Sequence, residues 1–313
     1  MDGSPRSGDR RKVPASGLET VTGSIYSERE IESCLDPLFS LLLERSRPGK
    51  TVIVGIQGGQ GTGKTTLAAY LSGRLAEIGC SVVSFSLDDY YAGFEERKRL
   101  AGRHPGNPFY RLPRGLPGTH RTEELHAALA ALKAGRDVNL PVFDKSARGG
   151  EGDISRDKKK VRGRQDLVLF EGWCLGLPEA SPEELEKIIR RYRLPAALEP
   201  PAREDYLAVL SRARPYRELR VLLDLLVSLQ PDSPDRHEEW RLAQERELAA
   251  RAGARLPEDR IREMVRLFLP FTYLAYEKLV PDLRIQIDCR HRFRRLIAGP
   301  GKIVRPERRA EKA

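Results

Sequence analysis

The sixteen residues Thr51–Thr66, TVIVGIQGGQGTGKTT, constrain the fold of this chain more than any other stretch. A short apolar run leads into the spacing Gly58-x-x-x-x-Gly63-Lys64-Thr65, and a helical pattern follows over Leu67–Ala76. A strand, a glycine-rich turn and a helix in this order form a loop whose backbone N–H groups surround a phosphate. The pattern therefore predicts a P-loop that binds a nucleoside triphosphate.

The side chains of this loop have separate expected roles. Lys64 is expected to reach the β- and γ-phosphates of the nucleotide, and the Thr65 hydroxyl is expected to help hold Mg²⁺. The remaining contacts with the nucleotide are expected from Gly58, Gly59, Gln60, Gly61, Thr62, Gly63 and Thr66.

Carboxylates follow two other apolar runs. The β-rich run Ser81–Leu87 ends at Asp88 and Asp89, and the run that begins at Asp166 ends at Glu171. Strand ends of this kind meet at the sheet edge that carries the P-loop. A carboxylate there can take the proton of an attacking hydroxyl or hold Mg²⁺ through water, and Glu171 fits a Walker-B position. Spacing alone does not separate Asp88 from Asp89.

Strand and helix patterns alternate along most of the chain. Two more strands are predicted at Leu222–Leu229 and Leu283–Asp288, and helices separate them from the earlier ones. This alternation predicts an α/β protein of the P-loop NTPase fold, with a five-stranded, mostly parallel sheet flanked by helices. Val138–Ser146 contains Pro141 and is predicted to be an edge strand, followed by a loop and a basic turn at Lys158–Arg164.

The predicted domain organisation is one large domain between two tails. Residues 1–24 are rich in Gly, Ser, Pro and Arg and are expected to be disordered, and residues 301–313 form a basic tail. The domain spans residues 25–300. It includes a substrate loop at about 92–121, without a convincing element, and an edge hairpin at about 138–165.

Charge and cysteine usage limit the partners and the compartment. The net charge of +10 suits an anionic ligand or nucleic acid, but Lys158–Arg164 lacks aromatic residues that stack bases, so we expect no nucleic-acid partner. The four cysteines are far apart, which is typical of a reducing cytosol. Neither a signal peptide nor an apolar run of ~20 residues is visible, so we expect a cytoplasmic protein without membrane contact.

Several further motifs occur together. The P-loop is accompanied by Asp88-Asp-Tyr-Tyr91, Arg114-Gly-Leu-Pro-Gly-Thr-His120, Pro141-x-Phe-Asp-Lys-Ser146, Gly150-Glu-Gly-Asp153, Glu171-Gly-Trp-Cys-Leu-Gly176 and Trp240-Arg-Leu-x-x-Glu-x-Glu247. In combination they resemble the phosphoribulokinase and uridine kinase group of P-loop kinases, and within that group the D-glycerate 3-kinase family. The resemblance covers residues 51–290.

The resemblance implies ATP-dependent phosphorylation of a small hydroxyl-bearing acid, D-glycerate to 3-phosphoglycerate. Asp88 corresponds to the catalytic base, and Arg241 lies in a segment, about 232–256, that resembles a mobile lid. Lys64 and Arg241 would offset charge on the transferring phosphoryl group. Substrate contacts are implied for Asp89, Tyr90, Arg114, His120, Asp144 and Lys145, and Mg²⁺ contacts for Thr65, Asp88 and Glu171.

Two positions depart from the family pattern. Arg121 stands where the family has Asp, and Ile154 stands where it has Arg. The acceptor therefore stays open between D-glycerate and a nucleoside or a pantothenate-like molecule, although the Arg and His residues of the substrate loop favour a compact anion. A different class, a nucleic-acid-dependent or regulatory P-loop ATPase, is disfavoured by the single Glu171 followed by glycine. Sequence does not separate a monomer from a dimer.

Overall fold

A computed structural model describes residues 25–252, 257–299 and 302–303. The predicted N-terminal tail lies outside the described residues, and so does the predicted C-terminal tail apart from residues 302–303. The strands are β1 Val52–Gly58, β2 Val82–Ser86, β3 Val138–Asp144, β4 Asp153–Val161, β5 Leu167–Gly172, β6 Leu225–Pro231, β7 Leu283–Ile287, β8 Phe293–Ala298 and β9 Lys302–Ile303. The helices are α1 Glu28–Glu30, α2 Asp36–Arg45, α3 Lys64–Glu77, α4 Phe94–Gly102, α5 Pro108–Arg111, α6 Thr122–Lys133, α7 Pro182–Tyr192, α8 Arg203–Leu210, α9 Arg214–Glu218, α10 Arg236–Ala252 and α11 Glu258–Lys278.

The central sheet has the order β2-β5-β1-β6-β7-β8-β9 in the part of the chain that the structure describes. Its first five strands pair in parallel, which confirms the predicted α/β fold. Strands β8 and β9 extend the sheet antiparallel beyond β7, so the predicted number of five strands is too low. In β8 only Phe293 and Leu296 are buried, three positions apart, and this spacing does not give the alternation expected of a strand.

Helices cover both faces of the sheet, and the apolar residues of the inner strands therefore pack in both directions. Along β1, Ile53 joins one hydrophobic cluster, whereas Val54 and Ile56 join the other. Every residue of β1 and β5 is buried, as expected for parallel strands enclosed between helices. This burial holds the carboxyl ends of the strands, where the predicted site residues lie, in a fixed frame.

The predicted substrate loop at 92–121 contains two helices, which corrects the expectation that it has no element. Helix α4 buries only Arg97 and Leu100, so its apolar stripe is too thin for a sequence pattern to reveal. Helix α5 is a single turn that begins with Pro108, and the Asn107 side chain accepts the N–H of Phe109 at 2.9 Å.

Strands β3 and β4 form a two-stranded antiparallel sheet that is separate from the central sheet. Its register shifts between Pro141 and Phe143, where proline has no N–H to donate. Lys158–Val161 belongs to β4, so the basic turn predicted at Lys158–Arg164 is wrong over those four residues. In the ranges that the structure covers, no helix combines the length and apolar character needed to cross a bilayer.

Candidate active site

The glycine-rich loop leaves β1 and returns into α3 with the geometry of a P-loop. Gly61 and Gly63 have φ values of +76° and +86°, in the left-handed region that favours glycine. The Thr62 hydroxyl donates to the Gly59 carbonyl at 2.9 Å, and a Cβ at Gly58 would lie 2.7 Å from that hydroxyl. A side chain larger than hydrogen at position 58 would therefore clash with the Thr62 hydroxyl.

Strand register brings the predicted carboxylates to this loop. Glu171 in β5 pairs with Ile56 of β1 on one side and with Ser86 of β2 on the other. Asp88 follows Ser86 by two positions, so both carboxylates lie at the sheet edge that carries the P-loop. The Thr65 hydroxyl donates to Glu171 Oε1 at 3.0 Å.

The P-loop lysine lies among these acidic groups. Lys64 Nζ donates to the Gly59 carbonyl at 2.9 Å. Burial lowers the pKa of Lys64, and the negative charges of Glu171 and Asp88 oppose that shift. Burial raises the pKa of Glu171, Lys64 opposes the rise, and the Asp88 carboxylate adds to it. A further cation would relieve the repulsion between these two carboxylates.

Oxygen donors at this edge fit a Mg²⁺ ion. Thr65, Asp88 and Glu171 offer a hydroxyl and two carboxylates, and Mg²⁺ prefers oxygen ligands and retains several waters. No group of three His, Cys, Asp or Glu side chains that could hold a metal occurs in the described ranges. The donor set therefore fits an ion that is shared between the protein, water and substrate phosphates.

Asp88 is held by two donors at the carboxyl end of β2. The Tyr91 hydroxyl donates to Oδ1 at 2.9 Å, and Lys145 Nζ donates to Oδ2 at 2.7 Å. Burial alone would raise the pKa of Asp88, but Lys145, with smaller contributions from His120 and the Tyr91 hydroxyl, outweighs it and the pKa falls to about 2. Lys145, in the turn after β3, thus forms an ion pair with the predicted base.

His120 packs beside this pair. Its backbone forms an isolated antiparallel bridge with Tyr91, and the two rings stack at 4.4 Å. His120 Nδ1 lies 2.8 Å from the Tyr216 hydroxyl. Burial lowers the pKa of His120 to about 3, against the attraction of the Asp88 charge, so the imidazole is neutral at pH 7.

Arg97 ties three segments of this side of the site together. From α4, its guanidinium donates to the carbonyls of Pro113 at 2.8 Å and of Glu151 and Gly152 at 2.7 Å each, and also to Ala92. The chain before α4, the loop at 113 and the turn between β3 and β4 are thereby joined around one buried side chain.

The other side of the P-loop is covered by α10 and α11. His237 Nδ1 donates to the Gln60 carbonyl at 2.9 Å, and the Gly59 N–H donates to the Tyr276 hydroxyl at 2.8 Å. The Cβ of Trp240 lies 2.8 Å from the place that a Cβ on Gly61 would take. Helix α10 occupies most of the segment predicted as a lid, and it rests directly on the P-loop.

The remaining predicted substrate and lid residues have local partners. Arg114 donates to the Gly150 carbonyl at 2.9 Å, and Arg241 pairs with Glu245 at 2.9 Å. Asp89 accepts the Ser86 N–H, Asp144 accepts from Ser146, and Tyr90 lies in the hydrophobic core. No hydrogen bond within the described residues joins Asp89, Tyr90 or Asp144 to Asp88, Lys145 or His120.

Sequence reasoning missed four side chains that complete the site. Tyr216, His237 and Tyr276 reach it from positions 96, 177 and 217 residues away from their partners, and no local spacing signals such contacts. Tyr91 was visible in the motif Asp88-Asp-Tyr-Tyr91, but the motif alone does not show that its hydroxyl faces the carboxylate.

The P-loop lysine lies among carboxylates that follow neighbouring strands of a parallel sheet. This arrangement defines a P-loop kinase. No family model matches the chain. It is 34% identical over 252 residues to the uncharacterized kinase mug58 of Schizosaccharomyces pombe, a match that covers 79% of this chain and 88% of the relative. The chain belongs to the D-glycerate 3-kinase family of P-loop kinases, and it is an ATP-dependent kinase.

Two proteins named D-glycerate 3-kinase are similar to it. The chloroplastic enzyme of Arabidopsis thaliana is 27% identical over 240 residues, covering 74% of this chain and 48% of that protein. The chain therefore spans about half the length of the plant relative. The solved structure of the enzyme from Cryptococcus neoformans matches with a TM-score of 0.74 at 27% identity, covering 84% of this chain and 98% of that one.

Proposed function

We propose that this kinase transfers the γ-phosphoryl group of ATP to D-glycerate and forms 3-phosphoglycerate. The observation that carries the proposal is the Lys145–Asp88 pair, at 2.7 Å, beside the P-loop. It combines a cation for a small anionic acceptor with a carboxylate for the acceptor's hydroxyl proton. Relatives named D-glycerate 3-kinase support the same acceptor.

The aromatic side chains near Asp88 favour a compact acid over a nucleoside. Tyr91 stacks on His120, and Phe143 packs edge-on against Tyr91 at 5.1 Å. Both rings are less than a tenth exposed, at 5% for Tyr91 and 7% for Phe143. A nucleobase would need an open ring face, and neither ring offers one.

The two departures from the family pattern border this cluster, since Ile154 pairs with Phe143 across the hairpin and Arg121 follows His120. Arg121 Nε donates to the Tyr91 carbonyl at 3.2 Å, and its guanidinium also pairs with Glu124. Ile154 is 40% exposed. Neither side chain hydrogen-bonds Asp88 or His120, which supports an unchanged acceptor.

In the proposed reaction, Lys145 binds the acceptor's carboxylate and Asp88 then receives the hydroxyl proton as the oxygen attacks. Lys64 turns from the Gly59 carbonyl to the phosphates, and Arg241 adds positive charge from α10. Thr65, Asp88 and Glu171 would hold Mg²⁺, which neutralises charge on the phosphates. Helix α10, which rests on the P-loop, would exclude water that would otherwise take the phosphoryl group.

The domain limits and the compartment remain predictions. We propose that residues 25–300 form the kinase domain, with a substrate loop at about 92–121, a hairpin at about 138–165 and a lid at about 232–256. We also expect a cytoplasmic enzyme.

The test is ADP release with Mg-ATP and D-glycerate, compared with L-glycerate, uridine and pantothenate. We expect turnover with D-glycerate and a loss of roughly 10²- to 10⁴-fold in kcat for Asp88→Ala, because that variant lacks the base. Asp166→Ala is the matched control: its carboxylate accepts the Ser81 N–H at 2.9 Å at the opposite end of the sheet, so thermal stability falls while kcat changes little. Turnover with uridine or pantothenate instead of D-glycerate would refute the proposed acceptor.

A further inference from the structure

Tyr216 and His120 form a buried polar pair at the inner wall of the acceptor side. Tyr216 lies in α9 and is 1% exposed, and His120 is 7% exposed. Their hydrogen bond of 2.8 Å joins the Tyr216 hydroxyl to Nδ1. The other ring nitrogen, Nε2, is buried and has no hydrogen-bond partner in the described part of the chain.

The hydrogen bonds around Tyr216 determine where the imidazole proton lies. The Gly118 N–H points to the Tyr216 oxygen at 3.2 Å, and an amide can only donate, so this oxygen accepts. The tyrosine proton then needs an acceptor of its own, and His120 Nδ1 is in place to be one. Its Nδ1 lone pair is available only if the imidazole proton is on Nε2.

The opposite tautomer leaves more groups unsatisfied. With the proton on Nδ1, the tyrosine proton would have no acceptor and the Nε2 lone pair would have no donor. With the proton on Nε2, the Nε2–H is the single group of the pair without a partner. Because each unsatisfied buried polar group is destabilising, the second arrangement is favoured.

We propose that Tyr216 fixes His120 as the Nε2–H tautomer, so that the acceptor contact which the family resemblance implies for His120 is a donated N–H, made to an oxygen other than the reacting hydroxyl. The proposal rests on the proposed function only in placing the acceptor beside Asp88. A neutral donor suits this position, because a second positive charge beside Asp88 would lower the pKa of its carboxyl group further and so oppose its uptake of the hydroxyl proton. Tyr216 is then a positioning residue that acts through His120.

Two substitutions of His120 separate the donor from the structural contact. In His120→Gln the longer amide can place an N–H near the position of Nε2, whereas in His120→Asn the shorter amide reaches only the position of Nδ1. We expect His120→Asn to raise the KM of the acceptor ten- to hundredfold, with a smaller change in kcat, and His120→Gln to stay within a few-fold of wild type.

A purely structural role for His120 predicts the reverse order. The Asn variant can still accept the Tyr216 proton, and the Gln variant cannot do so in the same place. Equal or reversed effects on KM would therefore overturn the proposal. The measurement uses whichever acceptor the enzyme phosphorylates, so failure of D-glycerate as the substrate does not decide it.

The tautomer is measured without any acceptor. In ¹⁵N-histidine-labelled enzyme, two-bond ¹H–¹⁵N correlation spectra distinguish the two ring nitrogens, and the His120 signals are those missing in His120→Gln. We expect a protonated Nε2 and an unprotonated Nδ1 at pH 7, and a Tyr216→Phe variant in which the Nδ1 signal moves to that of a nitrogen without a hydrogen bond. A protonated Nδ1 in the wild type would overturn the proposal.

Discussion

Replacing Lys145 by methionine tests how Asp88, the proposed base, is kept ionised. Lys145 Nζ donates to Asp88 Oδ2 at 2.7 Å, and this contact is the main cause that lowers the pKa of Asp88 to about 2 against its burial. Methionine keeps most of the side-chain length but removes the charge. The burial that raises the pKa of Asp88 remains, so the pKa must rise.

The size of the rise follows from the geometry. The two side chains are 58% and 32% exposed, so the interaction is screened by water. At 2.7 Å and the dielectric constant of water, two unit charges attract by about 1.5 kcal/mol, which corresponds to about one pKa unit. This is a lower limit for a partly buried pair. We therefore expect the pKa of Asp88 to rise by one unit or more.

The assay is the pH dependence of kcat/KM from pH 3 to 7.5, with ADP measured after quenching and with recovery of activity at pH 7 as a control for unfolding. kcat/KM reports the pKa of the free enzyme's base. Because the wild-type pKa of Asp88 is about 2, wild-type kcat/KM should show no large fall from Asp88 down to pH 3, whereas Lys145→Met should lose half or more of its kcat/KM at pH 3. Lys145→Arg keeps the charge and should follow the wild type. The same profile in Lys145→Met and wild type down to pH 3 would refute this account of Asp88.

Three further predictions concern the buried groups around the P-loop and the acceptor side. The pKa of His120 is about 3 in the fold and near 6.5 when unfolded, so the unfolded chain binds the proton first and stability falls as the pH drops below 6.5. In urea unfolding, His120→Gln should reduce the stability lost between pH 7 and pH 5 by about 2 kcal/mol, and an unchanged loss would contradict it. Tyr276→Phe frees the Gly59 N–H for phosphate and should tighten Mg-ATP binding in calorimetry about fivefold; weaker binding would show that the hydroxyl stays bonded in the ATP complex. Gly59→Ala places a methyl group 2.2 Å from the His237 ring and should lower kcat/KM for ATP at least ~tenfold, with partial recovery when His237→Ala is added; no recovery would exclude this clash as the cause.

The parts of the fold that local patterns determine were predictable from sequence. The P-loop and the five parallel strands depend on short apolar runs and on glycines at fixed spacing, and both are confirmed. Helix α4 was missed because it buries only Arg97 and Leu100 and is held by hydrogen bonds from Arg97 to distant carbonyls. Such contacts leave no periodic signal.

The candidate site likewise contains residues that sequence patterns reveal and residues that they do not. Lys64, Thr65, Asp88 and Glu171 were identified because a motif or a strand end marks them, and the structure places them at one edge of the sheet. The side chain of Tyr216 was not identifiable, because its partner is 96 positions away and its own segment is a short polar helix. Tertiary packing alone makes that contact.

The Arg97 contacts join three segments on the proposed acceptor side of the site. One guanidinium holds α4, the loop at 113 and the tip of the β3–β4 hairpin, so a displacement of any one of them is transmitted to the other two. Lys145 and Arg114 are carried on these segments, whereas the P-loop is attached to the central sheet. In the proposed function, substitutions that shift these segments together would change the choice of acceptor while the phosphate-binding loop stays unchanged.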